Sequence, residues 1–148
     1  MMRLTKQADY GIVLLSHMSE APGRRFSAPD LAAETQIPLP TVSKVLKLLV
    51  RGKLLTSQRG AKGGYILSKA PQGITVAEMI SALEGPIAFT ECIEDAPGSC
   101  SQEAFCSLRG SWQRINEALR QALQDITLAD IRQPSAPLVQ LGAGRHSR

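Results

Sequence analysis

Ile37-Pro38-Leu39-Pro40 constrains this chain more than any other four residues. Each residue before a proline is pushed out of the helical region, so no single helix crosses the stretch. The helical patterns on either side must therefore meet at a stiff turn. Upstream, Ser27 is a good N-cap with Asp30 three residues later in a capping-box-like arrangement, which predicts a short helix over Pro29–Thr35 with Leu31 and Ala32 inward. Downstream, Pro40 suits the first turn of a helix, where a missing N–H costs little. That helix, Pro40–Arg51, carries Val42, Val45, Leu46 and Leu49 on one side and Thr41, Ser43, Lys44 and Lys47 on the other, with Gly52 to stop it. A short helix, a tight turn and a second helix with a small-polar and basic outer face make a helix-turn-helix.

Residues 53–58 and 65–68 read as two strands around Arg59-Gly60-Ala61-Lys62-Gly63-Gly64, a glycine-rich tip with two cations. A basic hairpin directly after a helix pair is the winged-helix arrangement. Before the pair, residues 3–20 predict a helix with Ala8, Ile12, Leu15 and Ser19 in register and Val13, Leu14 and Met18 widening the apolar face, ended by Pro22-Gly23 and followed by a basic link, Arg24-Arg25-Phe26. Charge agrees with this division. Residues 1–69 hold eleven Lys/Arg against four Asp/Glu, and residues 70–148 hold six against nine. The first half thus suits a polyanion and the second does not. Double-stranded DNA is the partner this predicts. Lys44, Lys47, Arg59 and Lys62 would neutralise phosphates, Thr41, Ser43 and Lys44 would meet base edges, and Arg59 would enter a minor groove.

After the hairpin, Pro71-Gln72-Gly73 reads as a turn, and Thr75 caps a helix to about Glu84 with Glu78 in the capping-box position. Leu108, Trp112, Ile115, Leu119, Ala122, Ile126 and Ala129 then recur at gaps of four and three, the 3.5-residue repeat of a coiled-coil seam. A helix over about Gln102–Ile131 would be about 45 Å long and would pair with its twin in a homodimer. The expected fold is α+β and mainly helical. It comprises a winged helix-turn-helix DNA-binding domain over 1–85, a cysteine-rich loop over 86–107, a long C-terminal dimerisation helix over 108–131 and a disordered tail over 132–148. A homodimer would place its two recognition helices on a palindromic operator. No apolar run approaches a membrane span and the N-terminus lacks a secretory pattern, so the expected location is the cytoplasm. No C-x-x-C and no nucleophile paired with a base points to an enzyme.

All three cysteines, Cys92, Cys100 and Cys106, fall within fifteen residues, separated by gaps of seven and five. In a reducing compartment such a cluster binds metal or does redox work more often than it forms a structural disulfide. Thiolates suit zinc, copper(I) and iron–sulfur clusters. The paired C-x-x-C spacing of structural zinc is missing, and the spacing leaves an iron–sulfur cluster and a cysteine-only redox switch both open. A closed four-ligand site needs one further group.

The opening Met2-Arg3-Leu4-Thr5-Lys6 with Asp9-Tyr10-Gly11, the wing Arg59 to Tyr65 and the three cysteines resemble the IscR/NsrR family of iron–sulfur winged-helix regulators over about residues 2–131. Within it, Glu84-Gly85-Pro86-Ile87, Thr90-Glu91-Cys92, residues 109–116 and residues 126–131 look like the regulator of the Suf cluster-assembly system. The resemblance implies a homodimeric repressor of cluster-assembly genes whose DNA affinity depends on an iron–sulfur cluster, 2Fe–2S or 4Fe–4S, held by Cys92, Cys100 and Cys106. Some members take a fourth ligand from a His three residues past the third cysteine, where this chain has Arg109, a cation that cannot ligate. Others use an acidic residue of the first helix, supplied by the other subunit, and Asp9 matches that position. Glu91, Glu94, Asp95, Glu103 and His17 are weaker alternatives. The resemblance also allows nitric oxide as the signal.

Overall fold

The structure, a computed structural model, describes residues 3–90 and 107–132. In chain order these form α1 (Lys6–Ser19), α2 (Ala28–Thr35), α3 (Leu39–Arg51), β1 (Leu55–Gln58), β2 (Gly64–Leu67), a 3-10 turn at Pro71–Gly73, α4 (Val76–Glu84), α5 (Arg109–Gln124) and α6 (Leu128–Arg132). The expected class, α+β and mainly helical, is the one that forms.

Local signals set most of the boundaries. Asp30 N donates to Ser27 Oγ at 3.1 Å while Ser27 N donates back to Asp30 Oδ2 at 3.3 Å. The same reciprocal pair, Thr75 with Glu78, opens α4 at 3.1 and 2.9 Å. Each box satisfies two N–H groups that a helix start would otherwise leave orphaned, worth about 1 kcal/mol. The turn between α2 and α3 is made by Gln36 in the left-handed conformation, φ 60°, followed by Pro38 at the N-cap of α3. The core forms where the apolar faces meet. Val42, Val45, Leu46 and Leu49 of α3 are fully buried against Leu14, Leu15 and Met18 of α1 and Met79 and Leu83 of α4. Val13, expected to widen the face of α1, is instead exposed.

The wing is an antiparallel hairpin with Leu55 opposite Leu67 and Gln58 opposite Gly64. A third segment joins it. Phe26 N donates to Tyr65 O at 2.9 Å and Tyr65 N to Phe26 O at 2.7 Å, so the basic link ends in a bridge to the hairpin at Phe26. Gly64, at φ +141°, is required there, since an added Cβ would stand 2.7 Å from Phe26 O.

The C-terminal segment corrects one expectation. The single helix to Ile131 does not form; α5 stops at Gln124 and the chain turns back into α6. Thr127 and Asp130 make a capping box of their own, with Thr127 N to Asp130 Oδ2 at 2.8 Å and Asp130 N to Thr127 Oγ1 at 3.3 Å. Residues 126–128 also pair with 74–76 through Val76 N to Ile126 O and Leu128 N to Ile74 O, both 2.8 Å. These bonds compete with helix continuation, and burial of Leu128 in the core adds to them. Arg132, placed in the tail by the sequence pattern, ends α6 and donates to Ser19 O. Residues 133–148, the rest of that expected tail, lie outside the described residues.

Candidate nucleic-acid interface and cluster ligands

The outer face of α3 carries Lys44 and Lys47 exposed, with Thr41 and Ser43 half-buried beside them. Burial of the opposite face fixes this orientation, because rotating α3 would expose four core residues. At the wing tip Arg59 and Lys62 are exposed. The tip is shaped by Gly63 N donating to Gly60 O at 2.9 Å, and is tied down by Arg25 Nη1 donating to Lys62 O at 3.0 Å. Arg25 and the Phe26–Tyr65 pairing therefore fix the wing relative to the helices.

A further polar knot braces this arrangement. Glu34 of α2 accepts from Arg24 Nη2 at 2.7 Å through one oxygen, and its other oxygen lies 2.6 Å from His17 Nε2 of α1. The Arg24 guanidinium lies 4.2 Å from the Phe26 ring centroid. The hydrogen bond with His17, and then that from Arg24, hold the Glu34 carboxyl below its ordinary value. One carboxylate thus connects α1, α2 and the root of the wing. Glu34 sits in the last turn of α2, where the helix dipole disfavours an anion, and that misplaced charge was the available signal for nearby cations. His17, a weaker ligand candidate, is engaged in this knot.

Asp9, the candidate fourth ligand, is exposed in the first turn of α1, and its carboxylate has no hydrogen-bond or ion-pair partner among the described residues. Cys92, Cys100 and Cys106 lie outside the described residues, as do Glu91, Glu94, Asp95 and Glu103. Among the described residues no group of three His, Cys, Asp or Glu is placed to hold a metal ion. Three thiols and an unengaged carboxylate are a donor set that fits a cluster with one hard ligand.

The chain that leads toward Cys92 is well held. Asn116 of α5, only 4% exposed, accepts from Phe89 N at 3.0 Å and donates to Ile87 O at 3.2 Å. Trp112, one turn earlier, stacks on Phe89 with centroids 5.6 Å apart. At the other end of this segment Glu84 Oε1 accepts from Thr5 N at 2.6 Å, one turn before Asp9. The start of α1 and the departure of the chain toward the cysteines are thus joined. Sequence reasoning missed Asn116, although a polar residue beside a seam position was its signal. Leu108 and Ile115 of the seam are 54% and 46% exposed.

Comparison with known proteins identifies the family. Residues 4–134 match the Rrf2 family model, described as iron-dependent transcriptional regulator. The chain is 34% identical over 134 residues to protein rrf2 of Nitratidesulfovibrio vulgaris, covering 88% of this chain and 87% of that one. It is similar in structure to CymR, the global cysteine regulator of B. subtilis (TM-score 0.69, 27% identity, 91% of this chain and 99% of the other). It is also similar to T. potens IscR (TM-score 0.65, 25% identity, 97% and 94%).

Proposed function

This chain belongs to the Rrf2 family of iron-dependent transcriptional regulators, and we propose that it is a homodimeric repressor of iron–sulfur cluster-assembly genes whose operator binding follows the state of its own cluster. It is a DNA-binding regulator and not an enzyme. Among the described residues no helix is long and apolar enough to cross a membrane.

In this reading α3 lies in the major groove. Thr41, Ser43 and Lys44 meet base edges, Lys44 and Lys47 meet phosphates, and Arg59 and Lys62 on the wing reach the neighbouring backbone and minor groove. The exposed Ile115 of α5 and Leu108 at its N-cap support pairing of two copies. Cys92, Cys100 and Cys106 would hold the cluster, with Asp9 of the other subunit as fourth ligand. A bound cluster supplies a redox-labile and oxidant-labile bond between subunits. The observation that carries the reading is Asp9 itself, a helix carboxylate left open at the end of the domain from which the chain departs toward the cysteines. The role of the protein is then to convert one ligand bond into a fixed distance between two α3 helices.

A second reading, in which Cys100 and Cys106 form a redox switch without metal, draws on likeness to Staphylococcus aureus CymR, whose oxidized form has been solved (TM-score 0.64, 26% identity, 92% of this chain and 100% of the other). Promoter binding measured after exposure to nitric oxide, peroxide and an iron chelator separates the readings. A response to chelator supports the cluster; a response to peroxide alone supports the switch. Nitric oxide acting more strongly than either would assign that signal to the same site.

A further inference from the structure

The tip of α3 presents Pro38, Leu39 and Pro40 side by side, all exposed. Leu39 is 43% exposed, whereas every other large apolar side chain in the first two turns of α3 is fully buried. The two prolines bring no N–H, so the donors that a helix start normally offers to phosphates are reduced at this tip. The leading turn of a helix-turn-helix recognition helix is the part that reaches base edges. An apolar, donor-poor leading turn has one favourable partner in the major groove, the C5-methyl group of thymine. Leu39 also lies one turn before Ser43, four residues on along the same side of α3. A hydroxyl reading a hydrogen-bonding edge and a leucine reading a methyl would therefore fall on adjacent base pairs.

We propose that Leu39 is a specificity-determining residue that reads the methyl group of one thymine in each operator half-site. The proposal rests on α3 being the recognition helix. Leu39 lies outside the buried core cluster, so Leu39→Ala keeps the buried face of α3 and is expected to fold.

The test uses a duplex selected from random sequence by the full-length protein, with each thymine replaced in turn by deoxyuridine, which removes only the methyl. Binding is measured for the wild type and for Leu39→Ala. The expected result is one symmetric position at which deoxyuridine weakens wild-type binding about fourfold per half-site. Leu39→Ala should be insensitive to the same replacement. A flat deoxyuridine scan with wild type would overturn the proposal, and so would an unchanged penalty in Leu39→Ala. Failure of selection to yield any specific duplex would instead overturn the assignment of α3, and this inference with it.

Discussion

Asn116 Oδ1 accepts a hydrogen bond from Phe89 N at 3.0 Å, joining α5 to the chain segment that leads into the cysteines. The same amide donates to Ile87 O, so both its hydrogen-bonding functions serve one strand of backbone. Residues 87–89 are thereby tied to α5, which exposes Ile115 and, at its N-cap, Leu108. Asn116→Ala should lower stability by about 1–3 kcal/mol, because two backbone groups lose their partner. Trp112 is the chain's single tryptophan and stacks on Phe89, so its emission should shift to the red in this variant. Urea titration and fluorescence check both; unchanged emission would mean the segment is held by other contacts.

The wing depends on close backbone approach. Gly64→Ala places a methyl 2.7 Å from Phe26 O at a φ of +141°. The expected cost is about 1–3 kcal/mol in stability, together with weaker operator binding. Gly60→Ala meets nothing within 4 Å and suffers only the strain of its φ of +106°, so it should preserve the Phe26–Tyr65 pairing. Comparing both variants by denaturation and anisotropy titration distinguishes backbone strain from lost sheet pairing.

Lys47 and Arg59 should differ in the way they fail. Lys47→Ala removes one exposed phosphate partner, so affinity should fall for all sequences and the slope of log affinity against log salt should drop by roughly one unit. Arg59→Ala should weaken operator binding more than binding to random duplex. An unchanged salt slope for Lys47→Ala would contradict its phosphate role.

Acid should loosen the helix starts and the Glu34 knot. Hydrogen bonds from the Ser27 side chain and backbone lower the Asp30 carboxyl, His17 and then Arg24 lower Glu34, and the Thr127 backbone N–H and then its hydroxyl lower Asp130. Burial pulls Glu78 upward, but Lys69 and Thr75 together outweigh it. Carboxyls depressed in the folded state stabilise it above their unfolded values, 3.8 for Asp and 4.5 for Glu, and that stabilisation disappears as pH falls through the folded values. The urea midpoint should therefore be steady near neutrality and decline below about pH 4.5. Glu34→Gln should flatten part of the decline; an identical slope would mean the knot contributes nothing.

How far the chain could be read from its residues follows from where the information lies. The helix pair was legible because Ser27 with Asp30, the Pro38–Pro40 turn and the four-residue apolar face of α3 are local signals that agree. The end of α5 was not, because Ile126 and Ala129 continue the 3.5 repeat across a break made by Thr127 and Asp130. That box was visible, but the pairing of 126–128 with 74–76 that makes it decisive is nonlocal. Phe26 likewise looked like part of a linker, since only Tyr65, thirty-nine positions on, bridges it to the wing. For the ligands, residue type and spacing gave Cys92, Cys100 and Cys106, while Asp9 came only through resemblance. A carboxylate in a first helical turn is ordinary, and nothing near it in sequence marks it as a ligand.

Dependence of DNA binding on cluster occupancy is tested most directly on protein purified under strict anaerobiosis. Iron and acid-labile sulfide are assayed on the same sample whose operator affinity is then measured before and after cluster removal. The expected result is a coloured protein containing both elements, an affinity that changes when they are removed, and loss of both elements in Cys100→Ser. A colourless, iron-free protein, or an affinity indifferent to removal of the cluster, would contradict it.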